Sequence, residues 1–290
     1  MDLNIYEVGP RDGLQNSKFK VSTSDKITMI EELYYAGFKN IEATSFVHPK
    51  RVPNLADAEE VFSQTKELGN LGVLIPNQKG FDRAKKVGAK KLNVFFSPSN
   101  EFNIRNLGKK LDEVYDNIKT MLSDTNREDV RAYVSCAFGC PFEGLPAEHE
   151  LKDAITKASD IAETVVLCDT IGSAYPTKIA KALELTRNID SKIAMHFHEK
   201  KIGGNNILNN VKSSLDLGVT SFDSSINGLG GCPFIPTSGS NLSTNQLVSW
   251  AHDNDYETGI NLKKMTHVSR FVRSLERVNA SFPEGSITEA

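Results

Sequence analysis

Short apolar runs alternate with longer amphipathic stretches from one end of the chain to the other. The runs are rich in Val, Ile, Phe and Tyr. They predict strands at Leu3–Val8, Asn40–Thr44, Leu71–Ile75 and Lys91–Phe96, then at Arg131–Cys136, Thr164–Cys168, Lys192–His198 and Thr220–Ser225. Between them, apolar positions recur at helical spacing. Ser24–Ala36 is the clearest case, with Ser24 as N-cap, Ile27, Met29, Ile30, Leu33 and Tyr34 on the pattern, and Gly37 as the stop. Leu55–Leu68, Gly80–Val87, Leu111–Leu122, Ala147–Ala162, Thr177–Arg187 and Asn206–Leu217 behave alike, and the tail adds Thr244–His252 and Lys263–Ala280. Eight strand–helix alternations in one chain predict a (β/α)8 TIM barrel with additional C-terminal helices. A doubly wound open sheet of eight strands is the alternative that periodicity leaves open.

Composition narrows the class. With 290 residues, 39% hydrophobic and 24% charged, the chain is ordinary for a globular protein and long enough for a large core. No Pro/Gly/Ser-rich linker divides it, so residues 1–290 read as a single domain. The net charge is −3, and the basic residues form only short pairs such as Lys109-Lys110 and Lys200-Lys201. That excludes a nucleic-acid partner. No run approaches the roughly 20 apolar residues of a membrane span. The N-terminus carries Asp2 and no apolar core run, and the four cysteines show no pairing signal. The expectation is a cytoplasmic protein with reduced thiols; a matrix protein without its targeting peptide stays open.

Chemistry-bearing residues collect at the C-terminal ends of the strands, which form the active face of such a barrel. His196 and His198, two apart on a strand, point to one face and can share a divalent cation. HxH alone is a weak sign, and a carboxylate from another strand end strengthens it. Asp12 is the natural candidate, in Gly9-Pro10-Arg11-Asp12-Gly13. Two nitrogens with oxygens suit Mg²⁺ or Mn²⁺. Arg11 is either a salt-bridge partner or a fixed cation for a developing oxyanion. Glu42 lies inside a strand, where a buried carboxylate must be paired or shift its pKa. Tyr133 sits on strand five, and Asp169 ends strand six. The loop Gly228-Leu229-Gly230-Gly231-Cys232-Pro233 lacks a P-loop pattern and fits better as a loop carrying Cys232 over the mouth.

Glu7-Val8-Gly9-Pro10-Arg11-Asp12-Gly13-Leu14-Gln15-Asn16 closely resembles the opening motif of the hydroxymethylglutaryl-CoA lyase family, metal-dependent TIM-barrel enzymes related to Claisen-type synthases. Ile41–Val47, Tyr133–Gly139, Asp169-Thr170-Ile171-Gly172, Asp223–Pro233, Ser238-Gly239 and Asn241 agree in order along nearly the whole chain. The resemblance implies retro-Claisen cleavage of a 3-hydroxy-3-methyl acyl-CoA, with acetyl-CoA and acetoacetate as products, in leucine breakdown and ketone-body formation. It implies Asp12, His196, His198 and Asn241 as metal ligands and Arg11 as the enolate partner. Glu42, Asp169, Tyr133 and Cys232 would line the site, with His196 and Cys232 moving protons. Arg11, Gln15, Lys18, Ser45 and Asn100 are the expected contacts to substrate and CoA. A dimer is an open expectation.

One stretch departs from the family pattern. H-x-H-D-T-x-G-x-A-x-A-N is usual, and here the chain reads HFHEKKIGGNNILNN, with Glu199 for the aspartate, Lys200 for the threonine and an insertion before Asn210. His48 stands where serine is more usual. These changes bear on substrate identity more than on reaction type. A related hydroxyacyl-CoA, a hydroxy-keto acid, and a non-catalytic metal-binding scaffold are the alternatives.

Overall fold

The computed structural model describes residues 1–17, 19–200, 206–231 and 238–280. Its first four strands are β1 (Asn4–Glu7), β2 (Asn40–Ser45), β3 (Asn70–Leu74) and β4 (Lys91–Phe96). The next four are β5 (Val130–Val134), β6 (Thr164–Asp169), β7 (Lys192–Lys200) and β8 (Ser221–Ser224). All pair in parallel, in the order β6-β5-β4-β3-β2-β1-β8-β7, and β6 pairs with β7 to close the ring. Closure settles the choice in favour of the barrel. A ninth strand, β9 (Ser238–Asn241), runs antiparallel to the end of β7 and sets Asn241 opposite His198.

Helices α1 (Thr23–Tyr35), α2 (Ala58–Thr65) and α3 (Gln78–Lys86) follow the first three strands. Two helices, α4 (Asn100–Leu107) and α5 (Leu111–Met121), follow β4. Then come α6 (Glu148–Ile161), α7 (Pro176–Glu184) and α8 (Ile207–Asp216), with α9 (Thr244–Asp253) and α10 (Leu262–Ala280) after β9. The N-cap of α1 is Ser22 rather than Ser24, because the Ser22 hydroxyl accepts the Asp25 N–H at 3.1 Å. The expected helix over Leu55–Leu68 is trimmed to Ala58–Thr65 by tight turns at Pro53–Leu55 and Lys66–Leu68. α4 was not expected. Its sequence, NEFNIRNL, has too few apolar positions to show a period, and it is started by Ser99, whose hydroxyl accepts the Phe102 N–H. Among the described residues no helix is long and apolar enough to cross a membrane.

Strand alternation sorts the side chains into two compartments. Ile5, Ile41, Leu92, Ala132, Val165, Met195 and Phe222 face outward and join the helices in one large apolar core. The lumen holds only a small apolar cluster of Tyr133, Val166, Cys168 and Ala194, with Phe95 against it. Barrels of this kind usually fill the lumen with layers of branched aliphatic side chains. Here the remainder is polar, and every buried group there needs a partner.

Glu7 ties the first strand to the last part of the barrel. Its Oε1 accepts the Gly9 N–H at 2.8 Å and the Ile226 N–H at 2.9 Å, and its Oε2 accepts the Thr244 hydroxyl at 2.6 Å. Burial raises its pKa from 4.5 to about 7, against the pull of those hydrogen bonds. The folded state therefore keeps a proton that the unfolded chain gives up between these values, so the Glu7 contribution to stability is full below about pH 4.5 and is lost as pH rises through 7. The loss amounts to about 3 kcal/mol. Glu7→Gln carries no charge, and its amide can donate to Thr244, whose hydroxyl is then released to donate to the Ser224 hydroxyl 2.7 Å away. Urea unfolding of the variant is expected to lack this fall between pH 5 and 7 that the parent shows; parallel pH profiles would refute the assignment.

Candidate active site

The turn that follows β1 brings two charged residues to the barrel mouth. The N–H groups of Arg11, Asp12 and Gly13 all donate to the Val8 carbonyl, at 3.2, 2.7 and 3.2 Å. Such tight winding needs Gly9, where a Cβ would lie 2.6 Å from Glu7 Oε1. Arg11 then fits between two carboxylates. Its Nε donates to Glu42 Oε2 and its Nη1 to Asp12 Oδ1, both at 2.6 Å. Glu42 is fully buried, and its Oε1 takes a second donor, Asn93 Nδ2, at 2.7 Å. Burial pushes the Glu42 pKa up, opposed by Arg11. For Asp12 burial works the same way, but Arg11 and the two histidines outweigh it and hold the carboxyl down at about 2.

His196 and His198 share the lumen face of β7, as their spacing predicts, with their Nε2 atoms 3.0 Å apart. Each Nδ1 is directed at an acceptor: Asp223 Oδ2 at 3.1 Å for His196 and the Thr170 carbonyl at 3.0 Å for His198. Both imidazoles therefore carry hydrogen on Nδ1, which turns both Nε2 lone pairs toward the same point. Two lone pairs that close need a proton or a cation between them. Burial disfavours the charged form of His196, but Asp223 and Asp12 reverse this and raise its pKa. Burial and the neighbouring His196 hold His198 down at about 4.

One ligand atom from each of Asp12, His196 and His198 lies within 4.8 Å of the others. Asn241 reaches the same place from β9. Its Nδ2 donates to Asp12 Oδ2 at 2.7 Å and to the Leu229 carbonyl at 2.8 Å, while its buried Oδ1 has no partner. A buried carbonyl oxygen with nothing to bind beside converging imidazole lone pairs and a carboxylate fits a divalent cation. Periodicity does not place Asn241 on a strand, because the four residues of β9 carry no apolar signal.

Other expected residues fall differently. Tyr133 lies in the lumen, its ring edge-on to His196 with centroids 6.3 Å apart. Asp169 is not brought to the cluster. Its register partner is Phe197, so it shares that residue's outward face, and its oxygens accept the N–H groups of Ser173 at 2.7 Å and Ala174 at 2.9 Å. The buried Ser45 hydroxyl donates to the Leu74 carbonyl at 3.3 Å. Asn100 Oδ1 accepts the Leu111 N–H at 3.0 Å and starts α5. Gln15 is half-buried just past the Arg11 turn. Lys18 and Cys232 lie outside the described residues, as does the stretch 201–205 of the departing loop, while Glu199 and Lys200 are exposed at the end of β7. Cys136 and Cys140 are buried beside Phe102 with their thiols reduced, away from the cluster's ligand set.

Asp223 and Arg131 were not singled out for a role. Arg131 could have been found, because it stands two residues before Tyr133 on a strand and so shares its lumen face.

Comparison with known proteins supplies the family. A family model described as HMGL-like matches residues 2–272. Hydroxymethylglutaryl-CoA lyase of Bacillus subtilis is 36% identical, over 98% of this chain and 96% of that protein. The enzyme of Pseudomonas mevalonii is 35% identical, over 92% and 90%. Among solved structures, HMG-CoA lyase of Brucella melitensis superposes with a TM-score of 0.87 at 34% identity, covering 95% of this chain and 99% of that one. An HMG-CoA lyase of Acinetobacter baumannii in complex with coenzyme A and 3-methylmalate gives 0.86 at 31% identity, covering 100% and 97%. With a matching family model over most of its length and full-length relatives of this kind, the chain belongs to the HMGL-like family of carbon–carbon lyases.

Proposed function

We propose that this chain cleaves 3-hydroxy-3-methylglutaryl-CoA to acetyl-CoA and acetoacetate, with Asp12, His196, His198 and Asn241 holding Mg²⁺ or Mn²⁺. The observation that carries this reading is a guanidinium fixed within 2.6 Å of a carboxylate of the ligand cluster. Such a pair sets a cation site and an oxyanion partner side by side. A divalent cation held there would supply Lewis acidity, which lowers the pKa of a coordinated hydroxyl.

The chain's own residues do the rest. Glu42 and Asp12 hold the Arg11 fork by Nε and Nη1, leaving Nη2 for the thioester oxygen. As the C2–C3 bond breaks, the C3 hydroxyl becomes the ketone of acetoacetate and C2 becomes the acetyl-CoA enolate. Arg11 holds the enolate oxygen. His196 has one lone pair to give, because its Nδ1 faces Asp223. It serves the cation or a proton, and we assign it to the cation in this scheme, in place of the dual role expected from the sequence. Both proton transfers then fall to Cys232: its thiolate takes the hydroxyl proton and its thiol returns one to C2, so the balance closes. Asp169, with both oxygens committed to backbone, has no part in this scheme.

Acetyl-CoA release from 3-hydroxy-3-methylglutaryl-CoA is expected to stop after EDTA dialysis and return with Mg²⁺ or Mn²⁺. Indifference to metal would overturn the cation's place, and pyruvate release from hydroxy-keto acids alone would replace the lyase reading with an aldolase. Arg11→Lys keeps the charge but not the fork, and kcat is expected to drop on the order of 10²–10³-fold. Turnover near the parent rate would remove Arg11 from the mechanism. Cys232→Ala is expected to lose roughly 10²–10⁴ in kcat with Mn²⁺ affinity unchanged; an equal loss of Mn²⁺ binding would point to a structural role instead.

A further inference from the structure

Below the ligand cluster, the lumen holds a polar layer that the reaction does not touch. Tyr6 on β1 is the register partner of Asp223 on β8, and Asn93 on β4 is the partner of Arg131 on β5. Asn93 and Asp223 are each 1% exposed. The four make two arms of the same plan. In one, Asn93 Nδ2 donates to Glu42 Oε1 at 2.7 Å, and the other oxygen of Glu42 binds Arg11 Nε at 2.6 Å. In the other, Arg131 Nη2 donates to Asp223 Oδ1, and the other oxygen of Asp223 faces His196 Nδ1 at 3.1 Å. Each carboxylate is pinned at one oxygen from the lumen and presents the second to an active-site group.

Tyr6 joins the arms. Asn93 Nδ2 donates to its hydroxyl at 3.0 Å, and the Arg131 guanidinium lies over its ring with Cζ 4.4 Å from the centroid. The two N–H donors of the Asn93 amide are thereby committed to Glu42 and Tyr6, which forbids the flipped amide: its oxygen would face the Glu42 carboxylate. The joint also needs Gly72 on β3, where a Cβ would sit 1.9 Å from the Tyr6 hydroxyl.

We propose that Asn93 and Arg131 are positioning residues, which orient Arg11 and His196 through Glu42 and Asp223, and that Tyr6 couples the two arms. A carboxylate bound at one oxygen can rotate about its side-chain torsions, and a second bond fixes its plane and the direction of the group it holds. The inference rests on the roles given above to Arg11 and to the cation.

The arms separate by readout. On the full chain, kcat and KM for 3-hydroxy-3-methylglutaryl-CoA are measured beside Mn²⁺ affinity by electron paramagnetic resonance, which needs no turnover. Asn93→Leu is expected to lower kcat about 10–100-fold with Mn²⁺ affinity within about twofold of the parent. Arg131→Met is expected to weaken Mn²⁺ binding by about 10–100-fold. Tyr6→Leu is expected to move both. Arg131→Met strands a buried carboxylate, so Arg131→Met/Asp223→Asn, which removes both charges, is measured with it and carries the same expected loss of Mn²⁺ affinity if the single variant fails to fold. Variants that lower only the melting temperature, or that shift kcat and Mn²⁺ affinity together in the Asn93 arm, would overturn the inference. A parent chain without lyase activity would defeat the functional reading instead, while Mn²⁺ binding would still decide the Arg131 arm.

Discussion

Charge placed inside a closed ring of strands must be answered within the ring, and this barrel is organised by that requirement. The Arg11 guanidinium is the pivot. Alone it could not be buried at the mouth. Between Asp12 and Glu42 it is held at 2.6 Å on either side, and the fully buried Glu42 carboxylate could not be kept there without it. Glu42 in turn requires Asn93, and Asp12 requires Asn241. The lumen therefore cannot be filled with aliphatic side chains in the ordinary way, and the apolar core lies almost wholly between strands and helices. Stability and reactivity are divided between two compartments of one sheet, its outer face and its inner face.

That division shapes how the barrel can change. Substitutions on the outward face are packing problems, with costs set by volume and cavity. Substitutions in the lumen are pairing problems, because removing one partner leaves another buried and unanswered. His196 shows the connection most directly. Its Nδ1 is set by Asp223, Asp223 is held by Arg131, and the lone pair left on Nε2 follows from that chain of contacts.

The residues legible in the sequence are those whose relation is local. Gly9-Pro10-Arg11-Asp12-Gly13 is one turn, and His196 and His198 are two apart on one strand, so contiguity and parity suffice. The eight strands were legible for the same reason, since the outward faces are mostly apolar at period two. What was not legible depends on register between strands. Asp169 looks like a site residue at a strand end, and only its pairing with Phe197 shows that it faces away. Asn93 and Tyr6 meet across the lumen, 87 positions apart, and no period reports such a meeting. β9 has neither length nor apolar residues, so Asn241 could be placed only by resemblance.

Asn241 stands opposite His198 and binds Asp12, a partner 229 positions away. The proposed ligand set would thus be completed by a strand that lies outside the ring of eight and is made after all of them. A nascent chain emerging from the ribosome has both histidines and the aspartate long before it has anything to lock them together. Glu7 waits likewise for Ile226 and Thr244. On the ligand set proposed above, a chain that stopped short of β9 would carry all eight strands of the ring and three of the four ligands, so the order of synthesis sets the order in which barrel and cation site become complete.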